Sequence, residues 1–216
     1  MRGYLQSFVL SACAAVSAAS AHGQAVPPAP PGTTAAARMN APGPEGAALA
    51  RRTGVWDVVE TSWPYPGASA QVVRGQVAVR RMVGLYLQEV LHPSPAMADP
   101  AIGRIDYLGF NRVTGRWDYL SMDTRAPVGL MPAWSFDRDP VERIRVQFEP
   151  FALPGDGVAV TGRLLRMEQL IVQAGPDTDS KDQYFIAADG SGTKWLAHRY
   201  AYARRKGDAM RTSASH

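Results

Sequence analysis

The chain has little cysteine and little histidine. Its one cysteine, Cys13, lies in an apolar N-terminal segment. If that segment is removed as a signal, the rest of the chain has no thiol, which excludes disulfides, thiolate catalysis and cysteine–metal sites. The four histidines include no His-x-x-x-His pair or other metal-type spacing. We therefore expect no dedicated metal site and name no metal ligand.

The common catalytic motifs are also missing. The sequence has no Gly-x-Ser-x-Gly elbow, no phosphate-binding glycine loop and no dinucleotide fingerprint. Net charge is +4, but the basic residues are scattered along the chain, so we expect no nucleic-acid partner. The sequence assigns no catalytic residue, and we expect a protein that is not an enzyme.

The N-terminus is typical of a secretory signal over residues 1–21: Arg2 precedes a short apolar segment, and "ASA" (Ala19 to Ala21) fits a cleavage site. Periplasmic or secreted localisation is therefore expected. "LSAC" (Leu10 to Cys13) also resembles a bacterial lipoprotein box, and the alternative is an outer-membrane lipoprotein that meets the membrane through a lipid on Cys13.

Composition divides the remaining chain into three parts. Residues 22–46 are rich in proline and alanine and predict a flexible linker. Residues 47–206 predict the folded domain, with a short helical turn near Pro44 and Glu45 at its entrance. Residues 207–216 predict a disordered tail.

From Trp56 onward the apolar residues recur with period two, which is typical of strands. The first strand ends at "WPYPG" (Trp63 to Gly67), because its two prolines cannot donate to a ladder. With this first strand, the pattern gives nine or ten short strands in all, mostly joined by hairpin-length turns. We predict an all-β fold, an antiparallel up-and-down barrel of about eight to ten strands that is lipocalin-like, since closure removes exposed edges.

One hairpin can be placed in register from the sequence. "RIDYLGFN" and "RWDYLSMD" flank a short turn, and pairing Asn111 with Arg116 divides the apolar residues into two faces. One face holds Ile105, Tyr107, Leu120 and Met122, and the other holds Leu108, Phe110, Trp117 and Tyr119. The same register places Arg104 beside Asp123, and Asp106 and Asp118 on opposite faces.

The order of motifs resembles a family of exported bacterial proteins that is known only as a domain of unknown function with a lipocalin-like, or calycin, barrel. The resemblance rests on "GVW", "YPG", "GLYLQE", "YLGFN", "RWDYLSMD" and "YAR" and covers about residues 51–205. It departs at Leu85 and Asn111, where an arginine and an aspartate are usual. It implies a fold and no established chemistry.

A barrel of this size leaves room for one small ligand. We expect a small hydrophobic or amphipathic molecule to bind inside, without catalysis. The predicted lining residues are Trp56, Arg80, Tyr107, Tyr119, Met122, Trp134 and His198. For Trp56 the simpler interpretation is an apolar plug at one barrel end.

Three alternatives remain open at this point. "GVW", "YP" and His198 more distantly resemble nitrobindin-type haem barrels, which implies haem as a possible cofactor with His198 as its axial ligand. A barrel-type isomerase or hydrolase would instead use aspartate or tyrosine groups. An envelope protein with a filled barrel would use its outer face to bind a partner, and a homodimer is possible.

Overall fold

The architecture comes from a computed structural model, which describes residue 32 and residues 34–94, 102–154 and 161–206. The predicted signal at residues 1–21, with Cys13, and the predicted tail at 207–216 lie outside the described residues. The unit considered below begins at Thr34.

Two short helices precede the strands. Helix α1 spans Ala35–Asn40 and begins where the Thr34 hydroxyl accepts a hydrogen bond from the amide of Ala37 at 3.1 Å. Helix α2 spans Gly43–Ala50, with proline and Glu45 in its first turn, as the sequence predicts for the domain entrance. Helix α1 and the start of α2 fall within the range predicted as linker. In the described part of the chain, no helix has the length and apolar character needed to cross a membrane.

Eleven strands follow within the described residues, and all of their pairings are antiparallel. Their bounds are β1 Gly54–Ser62, β2 Gln71–Val83, β3 Tyr86–His92, β4 Arg104–Asn111, β5 Arg116–Asp123, β6 Leu130–Ser135, β7 Arg143–Phe148, β8 Phe151–Pro154, β9 Thr161–Gly175, β10 Thr178–Ala187 and β11 Lys194–Arg204.

The sheet closes on itself. Strands β1 to β7 pair in chain order, then β7 pairs with β9, β9 with β10, β10 with β11, and β11 with β1. Strand β8 continues β7 along the same partner, since Gln147 lies opposite Glu168 and Phe151 lies opposite Leu165. Because β7 and β8 together occupy one strand position, the described strands form a closed barrel with ten strand positions. This confirms the predicted closed antiparallel barrel and is consistent with a lipocalin-like fold.

The β4–β5 hairpin has the predicted register. Asn111 pairs with Arg116, and Arg104 pairs with Asp123. Leu108, Trp117 and Tyr119 are buried on the inner face. That face is not purely apolar, however, because Arg104, Asp106 and Ser121 share it and are equally buried. Charged side chains therefore reach the centre of the barrel.

Helix α2 closes one end of the barrel. Leu49 is fully buried and packs with interior residues such as Leu108 and Ile144. Beside it, the indole Nε1 of Trp56 donates to the carbonyl of Arg52 at 3.1 Å, and Trp56 is fully buried. Gly54 allows the chain to begin β1 close to Arg204. Its φ is +127°, and a Cβ there would lie 2.9 Å from the Arg204 guanidinium. Any opening must be sought at the opposite end.

Candidate binding site

A pocket of about 900 Å³ opens at the end of the barrel away from α2. Its volume is within the range of small-molecule sites. Its apolar wall includes Trp63, Met131, Phe151, Leu153, Met167 and Phe185. Its polar wall and floor include Glu60, Arg104, Ser121, Asp123, Arg125, His198 and Tyr200. The pocket is thus divided into an apolar side and a polar side.

Glu60 on β1 organises the polar side. Its Oε1 accepts hydrogen bonds from the Tyr200 hydroxyl at 2.8 Å and from His198 Nδ1 at 3.0 Å. Its Oε2 accepts from Arg125 at 2.8 Å and from Gln76 at 2.9 Å. Burial acts to raise the pKa of Glu60, but the bonds from His198 and Gln76 and the charge of Arg125 hold it well below its ordinary value. Glu60 is therefore an ionised carboxylate with every lone pair used.

The charge of Glu60 sets the tautomer of His198. An ionised carboxylate can only accept, so His198 Nδ1 carries the proton of their hydrogen bond. In the neutral imidazole the other nitrogen, Nε2, then holds a lone pair. The ring lies nearly parallel to that of Tyr200, with centroids 6.1 Å apart, and the side chain is 30 % exposed. In its neutral form, His198 therefore has a hydrogen-bond acceptor on a side chain that lines the pocket.

Beneath the pocket lies a buried cluster of ion pairs, here called the ionic core, which comprises Arg52, Arg80, Glu89, Arg104, Asp106, Asp179 and Lys181. Glu89 is central: it accepts from Arg80 at 2.7 Å, Lys181 at 2.9 Å, and Arg104 at 3.3 Å. Lys181 also donates to Asp106 at 2.7 Å. The buried charges are thus paired, as burial requires.

The pKa values in the ionic core follow from this pairing. Burial acts to raise the pKa of Glu89, but the charges of Lys181, Arg80 and Arg104 hold it well below its ordinary value. The same holds for Asp106, which Arg104 and Lys181 keep ionised. Burial acts to lower the pKa of Lys181, and the charges of Asp106 and Glu89 raise it instead. Lys181 is consequently a charged ammonium and not a nucleophile.

Aromatic rings separate the guanidinium groups of the interior. The Arg80 guanidinium lies 4.7 Å from the ring centroid of Trp56 and 4.3 Å from that of Tyr202. The Arg104 guanidinium lies 4.4 Å from the ring centroid of Tyr200. Such contacts are favourable where the cation has lost its water. They fix the positions of the cations below the pocket.

The buried tyrosines remain protonated. Burial raises the pKa of Tyr200 to about 12, with the charge of Glu60 adding to the effect. Burial also raises the pKa values of Tyr119 and Tyr202, which lie near Asp106 and Glu89. Their hydroxyls act as hydrogen-bonding groups: Tyr202 donates to Glu89 at 3.0 Å, and Tyr119 accepts from Lys181 at 3.2 Å.

The structure divides the residues predicted from sequence into three groups. His198 lines the pocket. Trp56, Arg80 and Tyr119 are buried inside the barrel, at the α2 end or in the ionic core, and are not part of the pocket wall.

Tyr107, Met122 and Trp134 form the third group and lie on the outer face of the barrel. Met122 and Trp134 are 37 % and 41 % exposed. Side chains alternate along a strand, and the inner face of β4 and β5 is taken by Asp106, Ser121 and their neighbours. These three residues therefore cannot reach the interior that the sequence analysis assigned to them.

Of the residues that line the pocket, the sequence analysis named only His198 as a site residue, and three of those that it missed show why. Glu60 could have been found, because it follows Trp56 and Val58 at every second position of β1 and so shares their face. Arg104 was noted beside Asp123 but not as part of a site. Arg125 follows β5 in a loop, where no periodicity gives its direction.

The comparisons with known proteins leave the family open. No protein-family model matches the chain, and no curated protein matches it. The resemblance to exported barrels of unknown function therefore stays a prediction. Over the ranges that the structure describes, no group of three histidine, cysteine or carboxylate side chains is placed to hold a metal ion.

Proposed function

We propose that this protein is an exported binding barrel that holds one small amphipathic molecule in the pocket opposite α2. The observation that carries the proposal is the division of a pocket of about 900 Å³ into an apolar wall and a polar floor. Export rests on the signal expected at residues 1–21.

The apolar wall would supply most of the binding free energy. Met131, Phe151 and Phe185 are only partly buried although they face the barrel interior, so a ligand would remove apolar surface from water there. Phe151 and Phe185 pack edge to face at 5.7 Å, which gives the wall a defined shape. The polar floor would orient the ligand.

Acid–base catalysis by the interior carboxylates is less well supported. A general acid at neutral pH needs a raised carboxyl pKa, whereas those of Glu60, Glu89 and Asp106 are lowered. Asp118, another aspartate of the β4–β5 hairpin, lies outside and pairs with Arg116 at 2.7 Å. These groups act as fixed charges.

A matched pair of substitutions on β6 tests the proposed site. Met131 lines the pocket, while its neighbour Leu130 is 65 % exposed on the outer face. Met131→Arg places a charge in the apolar wall and is expected to weaken binding of the neutral fluorescent probe N-phenyl-1-naphthylamine at least about tenfold. Leu130→Arg is expected to change the dissociation constant by less than about twofold. Fluorescence titration measures both.

Two results would contradict the proposed site. One is the absence of saturable probe binding to the unsubstituted protein. The other is an equal loss in both variants, which would place the probe outside the pocket. Circular dichroism of each variant verifies that the barrel has folded.

Haem is a second candidate, favoured by the geometry of His198. Haem-ligating histidines commonly donate their other ring nitrogen to a carboxylate or carbonyl, and His198 Nδ1 is bonded in this way to Glu60. Its Nε2 would hold the iron, and the aromatic wall would contact the macrocycle. Haem, when bound, would supply redox or gas-binding chemistry at its iron.

Haem binding has a direct spectroscopic test. Titration of the protein with haemin is expected to produce a shifted Soret band that saturates at one equivalent and is lost in His198→Ala. The corresponding change at the other described histidine, His92→Ala on β3, should leave the band intact. An unshifted spectrum with the unsubstituted protein would reject the haem candidate and leave amphipathic ligand binding untouched.

A further inference from the structure

The polar floor of the pocket offers few groups that are not already bonded within the protein. Glu60 receives four hydrogen bonds. The Ser121 hydroxyl donates to Asp106 at 2.7 Å. Arg125 uses its three guanidinium nitrogens on Asp123, Glu60 and Tyr200. A ligand cannot bond to Glu60 without displacing a partner, whereas the Ser121 oxygen can still accept a hydrogen bond.

One nitrogen of His198 and one of Arg104 have no partner among the described residues. Among the described residues, none bonds to Nε2 of His198, and none accepts a hydrogen bond from Nη1 of Arg104. The other nitrogens of Arg104 are engaged, with Nε 2.9 Å from Asp106 and Nη2 3.3 Å from Glu89. Arg104 is 98 % buried, since its exposed fraction is 2 %, yet it lines the pocket. Gln183 also lines the pocket: its amide nitrogen donates to Gln169 at 2.8 Å, and among the described residues its Oε1 has no partner, so it is a further acceptor.

The His198 and Arg104 groups both line the same pocket. The guanidinium carbon of Arg104 is 4.4 Å from the ring centroid of Tyr200, and the His198 ring is 6.1 Å from the same centroid. Both side chains therefore pack against one tyrosine ring. A hydroxyl group both donates and accepts, and it is the smallest group that satisfies this pair.

The charge balance of the interior favours a neutral ligand. The ion pairs of the ionic core and the pocket floor join five cations to five anions. The cations are Arg52, Arg80, Arg104, Arg125 and Lys181, and the anions are Glu60, Glu89, Asp106, Asp123 and Asp179. A ligand carboxylate would add a sixth negative charge beside Glu60 and Asp123, which line the same pocket. Arg163 also lines the pocket, but it is exposed, so water screens its charge.

We propose that the pocket selects a neutral amphipathic alcohol or phenol, whose hydroxyl donates to Nε2 of His198 and accepts from Nη1 of Arg104. Glu60 acts as a positioning residue, because its bond to Nδ1 keeps the lone pair on Nε2. The inference rests on the proposed function, since it names the ligand class for the same pocket.

Three probes of equal chain length separate the possibilities. 4-Pentylphenol carries a neutral hydroxyl, 4-pentylanisole lacks the donor, and 4-pentylbenzoate is an anion at pH 7.5. Isothermal titration calorimetry with the full chain is expected to show the phenol binding at least about tenfold more tightly than either of the others, since an unpaired buried polar group is unfavourable.

A variant tests the assigned acceptor. His198→Phe keeps a ring against Tyr200 but removes Nε2, so the preference for phenol over anisole is expected to fall below about twofold. His92→Phe is the matched control and should keep the full preference, because His92 lies outside the pocket. If His198→Phe does not fold, the three probes still decide the matter with the unsubstituted protein.

Three results of the calorimetry would contradict different parts of the proposal. Equal binding of phenol and anisole would overturn the hydroxyl assignment and leave the binding pocket standing. Tightest binding of benzoate would overturn the neutral ligand and point to Arg125 or Arg163 as its partner. Binding of none of the probes would contradict the amphipathic binding function itself.

Discussion

Replacing Glu89 with glutamine is expected to lower the free energy of unfolding by about 3–5 kcal/mol, the usual effect of removing one partner from a buried ion pair. Glu89 lies among Arg80, Arg104 and Lys181, all within 3.3 Å. The amide keeps the shape of the side chain but removes its negative charge. Cations that are only a few per cent exposed would then be left without full compensation.

Urea unfolding followed by circular dichroism measures this loss. The control is Asp57→Asn on β1, the same carboxylate-to-amide change at an ion pair with Arg205 whose side chains are 58 % and 40 % exposed. Exposed pairs contribute little, so the control is expected to stay within about 1 kcal/mol of the parent protein. Equal effects at Glu89 and Asp57 would show that the interior charges are hydrated, contrary to the packing described.

Acid is expected to destabilise the barrel steeply. The pKa values of Glu60, Glu89 and Asp106 are lowered in the folded state from ordinary values of 4.5 and 3.8. The unfolded chain therefore binds more protons than the folded one as pH falls below about 4.5. Their stabilisation is fully present above the ordinary values and is lost progressively as pH drops toward the folded ones. With three groups titrating, the slope approaches about 4 kcal/mol per pH unit.

Urea unfolding between pH 7 and pH 3 tests this dependence. The free energy of unfolding should be level near neutrality and should fall below about pH 4.5. In Glu89→Gln one titrating group is gone, so the slope should be shallower by roughly 1.4 kcal/mol per pH unit. A slope that is the same in both proteins would mean that Glu89 is not held ionised by its neighbours.

Much of the architecture could be predicted from local patterns. The period-two rhythm after Trp56 indicated strands, and the turn between Asn111 and Arg116 determined the register of one hairpin, which the structure confirms. The helical turn near Pro44 was also visible, since proline and glutamate suit a first turn. These features depend on neighbours in sequence.

Which face of each strand lies inside the barrel could not be predicted in the same way. An apolar face is normally taken as the inner one, yet on β2 the inner residues are Gln76, Ala78 and Arg80, while Val77 and Val79 face outward. Alternation shows that two faces differ but not which one is inside. The sequence analysis assigned Tyr107 to the interior. This barrel buries paired charges, however, and Asp106 occupies the inner side instead.

Pocket residues on loops and on strands distant in sequence were harder still to predict. The bond between Glu60 and His198 joins residues 138 positions apart, and no local pattern in one sequence reports such a contact. Arg125 reaches Glu60 across 65 positions. The polar floor therefore becomes visible only when the strands are assembled.

The connectivity of the ionic core has a consequence for how the chain folds. Lys181 and Glu89 are 92 positions apart, Arg80 and Asp179 are 99 apart, and Tyr202 reaches Glu89 across 113. The early strands pair some of these charges among themselves, but Lys181, Asp179 and Tyr202 are contributed by the last two strands. Until those strands dock, the charges remain hydrated, and a nascent chain ending before β10 would have no stable partial barrel to collapse into. We expect assembly to be slow, all-or-none and dependent on a full-length C-terminal hairpin.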